Sequence, residues 1–265
     1  MDLLNRSLAP ISVKAWKFMD EEAREILKLK LNGRKVVDFI GPRGINYAAV
    51  NSGRKTELDK GISGVNYQLR SVLPLVEMRV PFRINKKELE ALERGAVDID
   101  LDPLVDAAKK LAEAENNLIF YGHSEAGIRG IAEASKQPEL KVPDTSKELL
   151  VTITGAVKTL YNKGVGGPYL LLLSPELYSK IYKMSENGYP VNRKIKEIIG
   201  DNIKFVCGID FKGMLMSTRG GDFELIVGQD ISIGYERNTV DDLEFFFIES
   251  LTFRLNTPEA AVVFT

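Results

Sequence analysis

Few side chains in this 265-residue sequence could carry out nucleophilic or acid–base chemistry. It contains one histidine, His123, and one cysteine, Cys207, so a nucleophile paired with a histidine base would have to use His123. A Ser124–His123 contact and a Cys207–His123 pair are the two arrangements that stay open. Gly122 precedes His123, a setting typical of a partly exposed turn histidine. We therefore predict that the chain has no catalytic residues and is not an enzyme.

The acidic pairs and the glycine-rich loop also argue against an active or cofactor site. Asp241-Asp242 and Glu21-Glu22 are adjacent residues, and adjacent side chains point in different directions in a helix or a strand. Gly164 to Gly167 follows a predicted helix and precedes a predicted strand, whereas a phosphate-binding loop needs the opposite order. A single cysteine excludes an intrachain disulfide and a multi-cysteine metal site. We predict no metal site and no cofactor.

Composition narrows the class of protein further. The 36 basic and 37 acidic residues nearly cancel, so no global field would hold nucleic acid. Apolar runs such as Tyr169 to Leu173 are far shorter than the roughly 20 residues that a membrane span requires. The opening stretch MDLLNRSLAP lacks the apolar core of a signal peptide. We expect a cytoplasmic, soluble protein without nucleic-acid or membrane partners.

Helix signals organise the first part of the chain. Ser12 is placed to cap a helix that runs to about Leu31 and ends at Gly33. Its apolar stripe recurs at steps of three and four residues and comprises Trp16, Met19, Ala23, Ile26 and Leu27. The stripe predicts a face that packs either on the chain's own core or on a partner.

A long arm is predicted next. Gly41 to Gly64 is rich in glycine and charge and has no helical period, which indicates an extended hairpin projecting from the body. Tyr67 to Val80 returns as a strand, with Pro74 and Pro81 at an edge or a bend. Because an isolated two-stranded ribbon is marginal in water, we expect the arm to lie on a neighbouring subunit.

Capping residues mark the elements that follow. Asn85 and Glu88 have capping-box spacing for a short helix, and Asp102-Pro103 begins a longer one. From Thr145 onward helices and strands alternate, which is typical of a compact α/β subdomain.

The sequence pattern of the C-terminal part predicts strands. Arg219 to Glu236 contains two short strand patterns with glycine breaks, which predicts a β-hairpin. Leu243 to Leu255 is the last predicted strand, and its odd positions are apolar except for Glu249. Glu249 must therefore lie at a bulge, at an edge or beside a paired charge.

Several motifs in the sequence point to a particular protein family, whereas their periodicity indicates only secondary structure. GGDFELIVGQDISIGYE, near the C-terminus, resembles the signature of the encapsulin shell proteins. Matching pieces recur in the family's order along the chain, namely RSLAP (6–10), NGRKVVDFIGPRG (32–44), YAA (47–49), SVLPLVEMR (71–79), LERG (92–95), GPYLLLL (167–173) and NTPEA (256–260). The resemblance covers essentially the whole chain without a large insertion.

This resemblance implies an α+β fold of the Hong Kong (HK97-like) type, which encapsulins share with the major capsid proteins of tailed bacteriophages. On this sequence the peripheral domain would comprise 1–44, 80–134 and 220–265. The extended loop would comprise 45–79, and the axial domain 135–219.

The implied function is that of a structural shell protein. It would self-assemble into an icosahedral nanocompartment in the cytoplasm and encapsulate a cargo enzyme through the cargo's C-terminal targeting peptide. The implied partners are copies of the chain itself and that cargo. Two alternatives stay open: a prophage or viral major capsid protein, and a hydrolase or protease, an activity sometimes ascribed to the family. GRKVVD followed by GQDISIGYE favours the cargo-binding shell.

The resemblance also places two sites. The cargo peptide would bind between the N-terminal helix and the GQDISIGYE strand, at Leu27, Leu31, Arg34, Val36, Asp38, Asp230, Ile231 and Ile233. Arg34 and Asp38 would fix the register of the peptide by hydrogen bonds, and Ile231→Asp or Arg34→Glu would give empty but intact particles. A pore at the fivefold vertex would be lined by Met184, Ser185, Glu186, Asn187, Gly188 and Tyr189.

Overall fold

A computed structural model describes residues 3–59, 61–135 and 139–265. The helices are α1 (Val13–Lys30), α2 (Lys86–Glu93), α3 (Asp102–Phe120), α4 (Ile131–Ala134), α5 (Ser146–Asn162), α6 (Pro175–Lys183) and α7 (Val191–Ile199). The longer strands are β1 (Asp38–Ile40), β2 (Ala49–Leu58), β3 (Tyr67–Pro74), β4 (Val76–Asn85), β7 (Tyr169–Leu173), β10 (Ile203–Phe205), β11 (Gly213–Ser217), β12 (Phe223–Val227), β13 (Ser232–Asn238), β14 (Asp242–Leu255) and β15 (Ala261–Phe264). Two-residue strands form two small hairpins, β5 (Gly122–His123) with β6 (Ile128–Arg129) and β8 (Ser185–Glu186) with β9 (Tyr189–Pro190).

Helix α1 begins as its cap predicts. The Ser12 side chain accepts a hydrogen bond from the Ala15 N–H at 3.0 Å. The predicted stripe lies buried in the core except for Ile26, which is half-buried. The helix ends at Lys30, one residue before the predicted end at about Leu31, and Gly33 begins a separate short helical turn instead of ending α1.

Strand β14 is the centre of a five-stranded sheet. Leu251 pairs with Val76 of β4 and with Val227 of β12, so these two strands lie on opposite edges of β14. Strand β4 pairs with all the residues of β14 that pair with β13, so β4 and β13 lie on opposite edges of β14. Strand β13 therefore lies on the same edge as β12 and comes after it along that edge. The predicted hairpin over 219–236 was wrong, because β12 and β13 run in one direction along β14 and do not pair with each other.

The glycine that suggested a turn is part of a bulge. Between the pairs Val227↔Leu251 and Ser232↔Ile248 the outer strand has more residues than β14, so the segment between them bulges. Gly228 sits in this bulge where a Cβ atom would come within 2.6 Å of the Ser250 hydroxyl. Glycine is therefore required there by close packing and not by a reversal of the chain.

A four-stranded sheet, in the order β10-β7-β11-β15, forms the second layer. Leucines 170–173 of β7 are buried in it, and α5 packs Leu149, Ile153 and Leu160 into the same core. Strand β15 belongs to this sheet through its antiparallel pairing with β11. The resemblance assigned 220–265 to the peripheral domain and 135–219 to the axial domain. Strand β15 thus belongs to the first range but pairs with a strand of the second.

Strands β2 and β3 form the arm. They pair only with each other in the two-stranded sheet, apart from their bases next to β4 and β14. Apolar side chains on the arm are exposed, with Ile62 at 72% and Leu69 at 59%. The predicted projecting hairpin is therefore present, and part of its apolar surface has no cover within the described chain.

Candidate functional site

A groove of about 590 Å³ runs between α1 and β13. Ala23 and Leu27 of α1 form its floor together with Ile233 of β13 and Phe247 of β14. These four side chains belong to the core beneath the sheet. Ile231 is only half-buried and presents apolar surface to the groove that the core does not cover.

The structure brings together most of the predicted peptide-binding residues. Those that line the groove are Leu27, Leu31, Arg34, Asp230, Ile231 and Ile233. Val36 does not line it and is buried in the core of the four-stranded sheet. Asp38 does not line it either, because its carboxylate accepts the Gly221 N–H at 2.5 Å and holds the turn before β12.

Arg34 is held by three carboxylates, which together with it form what we term the Arg34 cluster. Its Nε lies 2.6 Å from Glu115 Oε2 on α3, and its Nη1 lies 2.8 Å from Asp230 Oδ1 in the bulge. Its Nη2 pairs with Glu249 on β14, so pairing is observed among the three settings that the sequence left open for that carboxylate. Glu115 and Glu249 have fully buried side chains, at 0% exposure.

The Arg34 cluster contains one cation and three carboxyl groups. Burial raises the pKa of Glu249 well above its ordinary value of 4.5, and the neighbouring Glu115 raises it further. Burial also raises the pKa of Glu115, which Arg34 opposes. Glu115 Oε1 and Glu249 Oε2 are buried and have no hydrogen-bond partner among the described residues. Because burial and the neighbouring Glu115 both favour the neutral form of Glu249, we expect Glu249 to hold a proton, which leaves Arg34 and Glu115 as a neutral buried pair.

This geometry changes what a substitution of Arg34 would test. Since every guanidinium nitrogen is engaged within the subunit, Arg34 has little left to offer a peptide. Arg34→Glu would leave Glu115 and Glu249 buried without their cation. We therefore expect that substitution to affect folding first, in contrast to the intact empty particles expected from the resemblance.

The N-terminal segment closes one end of the groove, which the sequence analysis missed. The Tyr235 N–H donates to the Leu4 carbonyl at 2.7 Å, so this segment lies along the outer edge of β13. Arg6 pairs with Asp20 at 2.6 Å and stacks over Trp16 at 3.9 Å from the ring centroid. The stretch from Leu3 to Pro10 carries no periodic signal, and the RSLAP motif was the one sequence feature that pointed to it.

The side chains considered for chemistry show no catalytic contact with one another among the described residues. His123 and Cys207 are both exposed, and within the described residues His123 makes no hydrogen bond with Ser124 or Cys207. The same part of the chain contains no group of three or more His, Cys, Asp or Glu residues that could bind a metal ion.

A protein family described as "encapsulating protein for peroxidase" matches residues 1–252 of the chain. A type 1 encapsulin shell protein of Rhodococcus erythropolis is 40% identical over 262 residues, which span 99% of each protein. The chain belongs to the encapsulin family.

Solved structures show the fold of this encapsulin. The virus-like particle of Pyrococcus furiosus matches with a TM-score of 0.64 at 25% identity and covers 92% of this chain and 98% of its own. The capsid protein of the myovirus XM1 matches with a TM-score of 0.60 at 9% identity, over 87% of this chain and 90% of its own. The HK97-like α+β capsid fold is therefore confirmed.

Family membership also bears on the alternatives. The matching family consists of shell proteins, which supports a non-enzymatic shell subunit over a hydrolase or protease. The phage likeness is one of fold, whereas the encapsulin likeness extends to sequence along the whole chain. No helix in the described parts of this encapsulin is long and apolar enough to cross a membrane.

The loop predicted to line a pore forms the β8–β9 hairpin of the encapsulin. Asn187 and Gly188 both have positive φ, at 51° and 79°, as a tight two-residue hairpin turn requires. Glu186, the only charged residue of the loop, pairs with Lys194 at 2.7 Å. The Tyr189 hydroxyl donates to Glu197 at 2.9 Å. The hairpin thus presents a polar tip whose one charge is already offset.

Proposed function

We propose that this encapsulin assembles into a closed icosahedral shell in the cytoplasm and packages a cargo enzyme. The observation that carries the proposal is the β2–β3 arm, because it projects from a capsid fold with exposed apolar side chains. A two-stranded ribbon of this kind gains stability by lying on another subunit. The family's description as an encapsulating protein supports a hollow particle with contents.

We propose that the groove between α1 and β13 binds the C-terminal targeting peptide of the cargo. Ile231 supplies apolar surface at the wall, and no described strand occupies the outer edge of β13 beyond the contact at Leu4. An extended peptide could therefore use both the backbone edge and the apolar wall. Val36 and Asp38 are outside this proposal, since they do not line the groove.

The expected affinity of one groove is modest. Two or three apolar anchors would each contribute about 1.5 to 3 kcal/mol on burial, and ordering of the tail offsets a large part of this. A dissociation constant around the micromolar range follows. Loading would then depend on the many grooves of one shell acting on a multivalent cargo.

The central experiment compares two substitutions of exposed or half-exposed apolar residues. Ile231→Asp should give intact particles that lack co-purifying cargo, because a charge replaces the apolar anchor. Val240→Asp, at an 88%-exposed position in the β13–β14 turn, is the matched control and should load as the wild type does. Negative-stain microscopy reports the particles, and mass spectrometry reports their contents. Normal loading of the Ile231 variant would contradict the proposal that the groove binds the cargo peptide. A soluble wild-type monomer would contradict the proposal that the protein forms a shell.

We further propose that the β8–β9 hairpin lines the fivefold pore. Because Lys194 offsets Glu186, the pore should discriminate only weakly between small anions and cations. Lys194→Gln would expose the Glu186 charge and should slow the entry of small anions into the shell. An unchanged entry rate in stopped-flow quenching of a lumenal fluorophore would count against the assignment.

A further inference from the structure

A second cavity, of about 560 Å³, lies on the other side of the end of α1. Its walls come from the last turn of α1, the turn after it, α6 and the segment around β10. We term it the lysine pocket, and the residues that matter below are Lys30, Lys35, Tyr178, Lys204, Phe205 and Cys207.

The lysine pocket carries positive charge that the subunit does not compensate. Lys30, Lys35 and Lys204 line it, no acidic side chain does, and none of the three forms an ion pair within the described residues. The Lys204 ammonium donates to the Lys35 carbonyl at 3.1 Å. Burial lowers the pKa of Lys35, and the nearby Lys204 lowers it further. A carboxylate bound here would relieve this repulsion.

The same pocket has an exposed aromatic surface. Phe205 is 56% exposed although it is a large apolar side chain. Its ring lies 5.4 Å from that of Tyr178, which in turn stacks on Tyr182 at 4.3 Å. A partner with an apolar or aromatic side chain could therefore be buried against Phe205 beside the lysines.

The lysine pocket continues the groove around the end of α1. Lys35 borders both cavities. Lys28 and Leu31 line the groove, while Leu29 and Lys30 from the same turn of helix line the pocket. An extended chain that leaves the groove past Lys35 would enter the pocket directly.

We propose that the lysine pocket is a second binding site for the cargo tail, which takes a segment containing acidic residues and an apolar anchor. This inference rests on the proposed function of the groove. The groove would hold the apolar anchors of the targeting peptide, and the pocket would hold the flanking acidic segment. Charge complementarity favours a peptide of this composition over a second copy of the chain, whose net charge is only −1.

The single cysteine gives a direct test in the wild-type shell. Cys207 lines the pocket and is exposed, so in cargo-free particles it should react readily with N-ethylmaleimide, as followed by intact-protein mass spectrometry. A synthetic peptide that copies the last 30 or so residues of the co-purifying cargo should slow this labelling about tenfold. A Cys207 that is unreactive in cargo-free shells would show that a neighbouring subunit covers the pocket and would overturn the proposal.

Affinity measurements with the same peptide separate the two sites. Phe205→Ala should weaken binding about tenfold, and Lys204→Glu should weaken it about fivefold at low salt and less at high salt. Lys158→Glu, an exposed position on α5, is the charge control and should change nothing. A peptide whose Asp and Glu residues are replaced by Asn and Gln should bind the wild type as weakly as the acidic peptide binds Lys204→Glu.

The possible failures differ from one another. If Ile231→Asp abolishes binding while Phe205→Ala and Lys204→Glu do not, and Cys207 stays reactive, the groove stands and the lysine pocket is excluded. If the peptide binds no variant and not the wild type, both proposals fall. If a single-stranded DNA oligonucleotide protects Cys207 and the peptide does not, the pocket serves nucleic acid and this inference is wrong.

Discussion

The Arg34 cluster and the β2–β3 arm differ in where their interactions are completed. In the cluster, Arg34 pairs with two buried carboxyl groups, Glu115 on α3 and Glu249 on β14, within a single subunit. In the arm, apolar side chains such as Ile62 and Leu69 stay exposed within the described chain. The cluster is thus completed within one subunit, whereas the arm, on our proposal, is completed by another chain. Each prediction below changes one side of this comparison.

The largest effect is expected from Arg34→Met. Loss of the cation leaves Glu115 and Glu249 buried without compensation, which should lower the free energy of unfolding by about 3 to 5 kcal/mol. Denaturant unfolding followed by circular dichroism measures this change. Arg94→Met removes an arginine whose pair with Glu90 is exposed and long, at 3.6 Å, and should cost less than about 0.5 kcal/mol. Equal losses in the two variants would mean that the Arg34 cluster does not stabilise the body.

A smaller, pH-dependent effect is expected from Glu249→Gln. Because the pKa of Glu249 is raised in the folded state, the unfolded chain releases this proton first as pH rises above 4.5. The contribution of Glu249 to the free energy of unfolding is therefore largest below pH 4.5. As pH rises, this contribution falls by up to about 1.4 kcal/mol per pH unit until the pKa of the folded state is passed. Glutamine cannot ionise, so the variant should lose this slope.

Glu244→Gln provides a control with the opposite sign. Arg237 lowers the pKa of Glu244, so its contribution is present at neutral pH and is lost as pH falls. Unfolding midpoints at several pH values between 4 and 9 should therefore change on the alkaline side for Glu249→Gln and on the acid side for Glu244→Gln. An unaltered alkaline slope in Glu249→Gln would show that the buried proton lies elsewhere.

The smallest effect on stability is expected from the arm. Leu69→Asp combined with Val72→Asp alters exposed positions on β3 and should change the subunit's free energy of unfolding by less than about 0.5 kcal/mol. Light scattering should nevertheless show that particles fail to form, because the covered apolar surface is lost. Gln68→Asp adds a charge to the same strand without removing an apolar group and should still assemble. Normal particles from the double variant would show that assembly does not require these apolar side chains of the arm.

Local signals in the sequence predicted much of this structure. Ser12 and Asn85 each cap the helix that their spacing predicted, since a cap depends only on the next few residues. The strand at 243–255 was also predicted, with Glu249 at a bulge, at an edge or beside a paired charge, because alternation is local. The identity of that partner was not, because Arg34 lies 215 residues away.

The errors arose where one local signal permits two structures. Gly228 fits a hairpin turn and a bulge equally well, and only the packing of Ser250 against it distinguishes them. Asp38 carries the same charge whether it faces the groove or the turn at Gly221. The last predicted strand ended at Leu255, so β15 was missed, and its place beside β11 depends on contacts between distant parts of the chain.

The order of the strands has a consequence for how this protein is made. Both sheets are completed by the last strands of the described chain, since β14 joins β4 to β12 and β13, and β15 closes the other sheet against β11. A chain still being synthesised can therefore form its helices, its arm and the β10-β7-β11 part of the smaller sheet before it can complete either sheet. Emergence of β14 and β15 from the ribosome sets the moment at which the body folds. A nascent chain thus has no finished body for another subunit to dock on until β14 and β15 have both been made.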